Sequence, residues 1–260
     1  MRRAEKARFT RVWHTDCLII VFVLILAIDT SSPAGSLAVL RNEGVIGAVS
    51  THSDEAYSSR MFRHLDFLQR ELSLQLEDFD LIAVAAGPGS FTGLRVGLAT
   101  AKGWSEVYHK PIAAVSALEA VAIQSRSAAA LVIPVLDARR GQVYFGFYSR
   151  HDRTAPRDLA LEGEEYVATP EEFLDALIKR AGNSDFAIVT PVPEILAKAI
   201  SADAKTPSGL RIERATSVLA PFIGQIGYRQ AQLGRVSNSL TADANYVRRS
   251  DAELHWKAPR

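Results

Sequence analysis

A glycine-rich segment offers the clearest chemistry in the chain. It reads Gly87-Pro-Gly-Ser-Phe-Thr-Gly-Leu-Arg-Val-Gly97 and lies between an apolar run typical of a strand and a helical pattern. The amino end of a helix presents free N–H groups and a positive dipole, which suit a phosphate group. The candidate phosphate ligands are therefore Gly87, Gly89, Ser90 and Gly93.

The spacing of this segment excludes three known kinds of site. A Walker A loop needs a lysine after its last glycine, and the dinucleotide fingerprint G-x-G-x-x-G is one residue shorter than the spacing found here. Ser90 lacks the flanking glycines of a nucleophile elbow. The competing interpretation is packing, because Gly93 and Gly97 let the helix lie close to a neighbouring element. The sequence leaves both interpretations open.

Asp29, Thr30 and Ser31 form a second candidate site, directly after an apolar run. The carboxylate can hold Mg²⁺ through water while the hydroxyls bind phosphate, but a turn in which Asp29 accepts backbone N–H groups explains the residues equally well. In the second half, Asp137-Ala-Arg-Arg-Gly141 also follows an apolar run, and there we favour a hairpin turn. ATP with Mg²⁺ is the cofactor that such loops can hold, and we assign none to the chain.

Metal and nucleophile chemistry find little support. None of the six histidines lies three to five residues from another, so the chain has no H-x-x-x-H helix site. The single cysteine, Cys17, excludes an intramolecular disulfide and a cysteine-based zinc site, which fits a reducing compartment. His64 is expected at a helix surface or interface. The sequence therefore predicts no bound metal and names no catalytic residue.

The composition describes an ordinary globular protein and disfavours two classes of partner. Of 260 residues, 48% are hydrophobic and 23% charged, and 30 basic against 29 acidic residues give a net charge of +1. Strong direct RNA binding usually needs a basic surplus. The uncharged run Cys17–Ile28 after a basic start is too short for a spanning helix. We interpret its second half as a buried strand, with no membrane contact and a cytoplasmic location.

The first half of the chain predicts a mixed sheet with helices packed on it. Strands ending at Ile28 and covering 36–40 and 45–49 are separated by short turns, which indicates an antiparallel meander. Apolar residues from Met61 to Leu76 recur on one helical face, which predicts a helix over 58–76. The remaining elements are, in order, a strand at 81–86, a helix at 94–108, a strand at 111–115 and a helix at 117–127.

The second half repeats this order of strands followed by helices. It predicts strands at 131–136, 142–148 and 186–189, an edge strand within 149–169, and helices at 170–181, 194–200 and 217–233. Thr169 is the expected N-cap, with Pro170 at the first helical position. The predicted divisions are an extension (1–23), a first lobe (24–127), a smaller second lobe (128–251) whose last helix packs back on the first, and a tail (252–260).

Four segments together resemble the TsaB family, also called YeaZ. They are Ile25-Leu-Ala-Ile-Asp-Thr-Ser-Ser32, the glycine-rich segment, Asp137-Ala-Arg-Arg-Gly-Gln-Val-Tyr144 and Tyr246-Val-Arg-Arg-Ser-Asp251. The resemblance covers about residues 24–251. It implies an α/β fold of the actin-like ATPase (ASKHA) type, with two ribonuclease-H-like lobes whose mixed sheets are flanked by helices. The two candidate loops would then be a vestigial nucleotide site.

Two positions depart from the family pattern. Tyr57-Ser58 stands where the family usually has a pair resembling His-Ser or His-Thr near the start of the first helix. Ala244-Asn245 stands where a proline commonly precedes the Tyr-Leu-Arg of the carboxy-terminal motif, and Val247 replaces the leucine. These departures weaken the transfer of the family's contacts at these positions, but they do not weaken the resemblance itself.

The resemblance implies a role in modifying tRNA. TsaB pairs with TsaD, which carries the metal and transfers threonylcarbamoyl to the adenosine beside the anticodon, and the ATPase TsaE joins the pair. TsaD-type proteins have an H-x-x-x-H motif that this chain lacks, which favours the role of the non-catalytic partner. We expect this partner to contact tRNA only as part of the complex. The alternative is an independent ASKHA-fold ATPase or kinase that works from Asp29 and the glycine-rich segment.

The resemblance also implies that the first two helices contact TsaD. The predicted interface residues are Met61, Phe62, Leu65, Leu68, Gly93, Gly97 and Ala101. Within the first helix we expect Phe62, Leu65 and Gln69 nearer the partner, and Leu68 and Leu72 nearer the sheet. An exposed apolar surface of this kind favours self-association. The chain alone is therefore predicted to form a homodimer that TsaD displaces.

Overall fold

The computed structural model describes residues 22–53, 55, 57–150, 158–182, 185–202 and 210–247. Most of the predicted amino-terminal extension, Cys17, the tail and the Arg248–Asp251 part of the carboxy-terminal motif lie outside the described residues. Within these ranges, no helix combines the length and the apolar character needed to cross a bilayer.

The first sheet has five strands in the order β3-β2-β1-β4-β5. Its strands are β1 (Leu24–Asp29), β2 (Ser36–Arg41), β3 (Gly44–Ser50), β4 (Leu81–Gly87) and β5 (Ile112–Ser116). The first three form the predicted antiparallel meander, whereas β4 and β5 run parallel to β1. β1 and β4 are buried along their whole length, because helices cover both faces of the sheet.

The second sheet repeats this order of strands. Its strands are β6 (Leu131–Arg139), β7 (Gln142–Phe145), β8 (Tyr148–Arg150), β9 (Leu159–Leu161), β10 (Tyr166–Ala168), β11 (Phe186–Thr190) and β12 (Ile212–Arg214). Both β7 and β8 pair with β6, and they pair in turn with β10 and β9, while β11 and β12 run parallel to β6. The predicted strand 142–148 is therefore split, and β12 was not predicted.

Helices fill the layers between and outside the two sheets. They are α1 (Tyr57–Leu72), α2 (Phe91–Tyr108), α3 (Ala117–Ala122), α4 (Pro170–Ala181), α5 (Glu194–Ala202) and α6 (Ala220–Gln232). One core lies between the first sheet and the pair α1–α2, and another lies between the second sheet and the pair α4–α5. A third core joins the two sheets through α3 and α6.

Two helices end earlier than the sequence predicts. Ser73 adopts φ 52°, which ends α1 four residues before the predicted end, and Leu76 begins a short 3-10 helix instead. Leu74 and Leu76 still pack partly buried against the core, which explains why the apolar spacing continues past the helix. α3 ends at Ala122, and hydrogen bonds from Gln124 and Ser125 close the turn that follows.

α6 lies directly on the first sheet, as expected for the last helix. A Cβ atom added at Gly224 would clash with the side chain of Leu40, and one at Gly227 would lie 2.7 Å from Cβ of Ala83. The two glycines therefore permit the close approach of helix and sheet.

Thr169 caps α4 in the predicted way, and its loss is expected to destabilise the protein by about 1 kcal/mol. The Thr169 hydroxyl accepts a hydrogen bond from the Glu172 N–H (3.3 Å), and the Glu172 carboxylate accepts one from the Thr169 N–H (2.9 Å). We expect Thr169→Ala to lower the melting temperature by about 2–4 °C. Thr169→Ser keeps the hydroxyl and is the control. Equal melting temperatures for Thr169→Ala and the unaltered chain would contradict the assignment.

Candidate functional site

The two loops that the sequence predicts to form a site are in direct contact. Ser90 is the N-cap of α2, and its side chain accepts a hydrogen bond from the Gly93 N–H (3.3 Å). The turn after β1 packs against this point, because the Thr30 hydroxyl donates to the Gly93 carbonyl (2.7 Å) and the Ser90 N–H donates to the Ser31 carbonyl (2.8 Å). The structure therefore brings the turn and the glycine-rich segment together.

Three glycines make room for this turn. A Cβ atom at Gly89 would lie 2.6 Å from the Ser31 carbonyl oxygen, and Cβ atoms at Gly93 and Gly97 would clash with Thr30. Real Cβ atoms keep at least 3.0 Å from such neighbours. Packing thus accounts for these glycines, and the side of the segment that faces the turn is closed to a ligand. Phosphate binding by the segment stays a prediction.

The carboxy-terminal segment covers the first glycine. Gly87 adopts φ +127°, where an L side chain is strained, and the Asn245 carbonyl occupies the space of a Cβ atom. The Asn245 N–H donates to the Ala86 carbonyl (2.7 Å). The sequence did not predict this contact, because the two residues are more than 150 positions apart and no local pattern links them.

Asp29 is fully buried and makes the turn that the sequence offered as one interpretation. Its Oδ1 atom accepts hydrogen bonds from the Ser31 N–H (2.8 Å) and the Ser31 hydroxyl (2.6 Å). Burial raises the pKa of Asp29 to about 6, although the bonds from Ser31 act in the opposite direction. The other oxygen, Oδ2, is buried and finds no hydrogen-bond partner among the residues that the structure describes.

These residues fit a magnesium-bound nucleotide poorly. Mg²⁺ prefers near-octahedral oxygen coordination, usually with one or two carboxylates, waters and substrate phosphates. Asp29 is inaccessible in this conformation. No group of three metal-binding side chains occurs in the described part of the chain. We therefore derive no reaction step through ATP or Mg²⁺.

A buried polar network lies beside this turn, on the first helix. His64 lies near the Tyr57 hydroxyl (3.3 Å) and the Thr51 hydroxyl (3.2 Å), and Arg60 donates to the carbonyl and the hydroxyl of Thr51. Burial, together with the charges of Arg60 and Arg63, lowers the pKa of His64. The prediction of His64 at a surface or interface is wrong, because its side chain is buried. Thr51, in the segment after β3, and Tyr57 place their hydroxyls beside the two ring nitrogens.

Most of the predicted interface residues lie inside the fold. Leu65 is 4% exposed and packs toward the first sheet, so its expected position nearer the partner is wrong. The sheet and α2 cover Met61, Leu65 and Leu68 of α1. Of the seven predicted residues, Met61, Leu65, Leu68 and Ala101 are buried in the core, and Gly93 and Gly97 face Thr30. Phe62 is the one that is largely exposed, at 55%.

Phe62 belongs to an exposed apolar surface that spans the two helices. Its ring meets the half-buried Trp104 edge to face, with 6.4 Å between the centroids. Val107, one turn further along α2, is 68% exposed. We call Phe62, Trp104 and Val107 the α1–α2 surface. Trp104 and Val107 were not predicted from the sequence, although their spacing of three places them on one side of the helix.

Comparison with known proteins identifies the family. A family model described as "TsaD: tRNA N6-adenosine threonylcarbamoyltransferase" matches residues 38–206, well over half of the chain. Two relatives named tRNA threonylcarbamoyladenosine biosynthesis protein TsaB also match, from Bacillus subtilis and Escherichia coli. The chain belongs to the TsaB/YeaZ branch of this family.

The sequence match to TsaB covers about half of each protein. The Bacillus subtilis relative is 41% identical over 124 residues, which are 48% of this chain and 54% of the relative. The Escherichia coli relative is 33% identical over 130 residues, which are 49% and 56%. The chain thus spans little more than half the length of these curated relatives.

The TsaB/YeaZ fold extends over nearly the whole chain. YeaZ from Pseudomonas aeruginosa superposes with a TM-score of 0.68 at 23% identity and covers 86% of this chain and 99% of its own. A second Pseudomonas aeruginosa structure, described by its similarity to peptidase YEAZ, gives 0.70 at 24% identity and covers 87% and 100%. The predicted α/β class, with mixed sheets flanked by helices, is confirmed.

Proposed function

We propose that the chain is a non-catalytic TsaB-type subunit in threonylcarbamoyl modification of tRNA, and that it acts by pairing with TsaD. The observation that carries the proposal is the α1–α2 surface, which consists of the exposed Phe62 and Val107 and the half-buried ring of Trp104. Family membership supports the same role. TsaE and tRNA join through the complex in this proposal, and the cytoplasmic location stays a prediction.

Burial of the α1–α2 surface is the physical basis of the pairing. Apolar side chains that leave water on association supply most of the free energy at a protein interface, and aromatic residues dominate it. The same surface would allow two copies of the chain to associate when TsaD is absent.

Phe62→Asp is expected to weaken the pairing with TsaD of the same organism by at least about 30-fold, which is ~2 kcal/mol. The charge would have to lose its water when the surface is covered. Isothermal titration calorimetry measures the affinity, and size-exclusion chromatography with light scattering measures the homodimer.

Phe67→Asp is the matched control for this prediction. Phe67 is a phenylalanine of the same helix and is 51% exposed, close to the exposure of Phe62. Five residues turn a helix by about 140° beyond a full turn, so Phe67 points away from the α1–α2 surface. Loss of TsaD binding in Phe67→Asp alone, or in neither variant, would show that the pairing uses another surface.

Reconstitution tests the function itself. TsaD, TsaE and the synthase that makes threonylcarbamoyl-adenylate are combined with tRNA, with and without this chain, and modified adenosine is measured. We expect product only, or at least much faster, when the chain is present. Equal product without it would remove the proposed function, whatever the result of the binding experiments.

The alternative function is an independent ASKHA-fold ATPase or kinase. The observation in its favour is the buried Oδ2 atom of Asp29, which has no hydrogen-bond partner among the described residues and which a cation would reach only if the turn after β1 opened. Packing of Thr30 against Gly93 argues against it. Calorimetry of the purified chain with ATP and Mg²⁺ separates the two functions, because heat of binding followed by phosphate release would favour the enzyme.

A further inference from the structure

Three side chains form a cluster where α2 begins, of which Arg95 and Tyr246 are exposed and Phe91 is half-buried. The rings of Phe91 and Tyr246 are 5.1 Å apart between centroids and tilted by 41°. The guanidinium carbon of Arg95 lies 3.8 Å from the centroid of the Phe91 ring, and its Nε donates to the Tyr246 hydroxyl (3.4 Å). We call these residues the Phe91–Arg95–Tyr246 cluster. It lies outside the α1–α2 surface.

The residue before Tyr246 is held by a buried carboxylate. The Asn245 side-chain amide donates to Glu165 (2.7 Å), and its backbone N–H donates to the Ala86 carbonyl (2.7 Å). Glu165 also accepts hydrogen bonds from the Tyr148 hydroxyl (2.8 Å) and the Ser116 hydroxyl. Residues from both sheets therefore fix the backbone next to Tyr246. A ligand of the cluster would not have to order this segment first.

The cluster combines flat ring surfaces with positive charge. Tyr246 is 41% exposed, and Arg95 is exposed. The sequence from Asp243 to Asp251 has two arginines and two aspartates, so the positive charge of the cluster is that of Arg95. Aromatic rings stack on unpaired nucleobases, and arginine binds phosphate. An acidic peptide would match the charge alone, whereas single-stranded RNA matches both the charge and the rings.

We propose that the Phe91–Arg95–Tyr246 cluster binds single-stranded RNA, with a base stacked on Tyr246 and a phosphate on Arg95. The identity of that RNA as tRNA rests on the proposed function. The chain then contributes directly to holding the substrate, in addition to contacting TsaD, which goes beyond the expectation that tRNA is met only through the complex. A net charge of +1 makes this a weak contact of the single chain that gains strength within the heterodimer.

The test measures binding of a fluorescein-labelled tRNA anticodon stem-loop by fluorescence anisotropy, to the full chain and to its heterodimer with TsaD. Tyr246→Ala removes the stacking ring, and we expect about tenfold weaker binding. Arg95→Glu is expected to weaken binding by at least as much and to flatten its salt dependence. Tyr246→Phe keeps the ring and should bind nearly as the unaltered chain does.

Arg214→Glu controls for the change in net charge. Arg214 is exposed and lies in β12, at the far edge of the second sheet. Unchanged RNA affinity in Arg95→Glu and Tyr246→Ala, or an equal loss in Arg214→Glu, overturns the proposal. The proposal is also overturned if Arg95→Glu and Tyr246→Ala abolish the heterodimer with TsaD while their affinity for RNA is unchanged, because the cluster would then be a protein contact. Reconstituted modification that needs the chain, combined with unchanged RNA affinity, would leave the proposed function standing and remove this inference alone.

Discussion

Gly93→Ala is expected to lower the free energy of unfolding by about 3 kcal/mol or more. The added Cβ atom would clash with the carbonyl oxygen of Thr30, a backbone atom that cannot turn aside as a flexible side chain can. The hydrogen bond from the Thr30 hydroxyl to the Gly93 carbonyl fixes the same contact from the other direction. Relief would require α2 to move away from the turn after β1.

Gly103→Ala is the matched control, because Gly103 lies in the same helix and a Cβ atom there meets nothing within 4 Å. Alanine is the better helix former, so this variant is expected to gain up to about 1 kcal/mol. Urea unfolding followed by circular dichroism measures both variants. Equal stability of Gly93→Ala and Gly103→Ala would mean that the contact between Thr30 and Gly93 does not hold the segment closed.

The elements that the sequence predicts well are those with strong local signals. Short glycine-containing turns predict β2 and β3, and the cap Thr169 with Pro170 predicts α4 from its first residue to its last. Both signals act over a few residues, and neighbouring parts of the fold support them rather than override them. The resemblance to TsaB then supplied the arrangement of these elements in two sheets, which periodicity alone does not specify.

The sequence-based prediction failed at positions whose burial and contacts depend on residues far away in the sequence. Whether Leu65 faces the sheet or a partner depends on how much of α1 the first sheet covers, and no spacing within the helix contains that information. His64 is buried because Thr51 and Tyr57 provide partners for its ring nitrogens. The contact between Asn245 and Glu165 joins residues 80 positions apart. Such contacts appear only once the chain is folded.

The candidate site shows the same division. The sequence singled out Asp29 and the glycine-rich segment and left packing and ligand binding open for each. The structure shows that the two loops are packed against each other, so Thr30 and Gly93 are explained by one contact. The glycine-rich segment therefore has a structural role, which is to pack against the turn after β1. The contact leaves one feature that packing does not explain, the buried and partly unsatisfied carboxylate of Asp29.

Asp29→Asn is expected to remove a loss of stability that the chain suffers between about pH 4 and pH 6. The folded pKa of about 6 is raised above the ordinary value of 3.8, so the folded state binds more protons than the unfolded state in this window. The free energy of unfolding therefore falls as the pH rises through it. A shift of about two units corresponds to ~3 kcal/mol, fully developed above the folded pKa.

Asparagine keeps the shape of the side chain and an oxygen for the two hydrogen bonds from Ser31, but it does not titrate. Its own amide brings a fixed cost, so the decisive quantity is the difference in stability between variant and unaltered chain as the pH changes. We expect that difference to move in favour of Asp29→Asn by about 2 kcal/mol between pH 4 and pH 7, because part of the total change has already occurred at pH 4. Urea unfolding at one-unit intervals of pH measures it.

Asp137→Asn separates burial from turn chemistry in this experiment. Asp137 accepts the same kind of turn hydrogen bond, from the Arg139 N–H (2.7 Å), but it is partly exposed and pairs with the Arg139 guanidinium. Both substitutions remove one carboxylate that caps a turn. If the pH dependence of the free energy of unfolding changes only in Asp29→Asn, the effect comes from the burial of Asp29. Parallel stability curves for Asp29→Asn and the unaltered chain would mean that the Asp29 carboxylate is hydrated or paired with a cation in solution. The turn after β1 would then have to be open in solution rather than closed around Asp29.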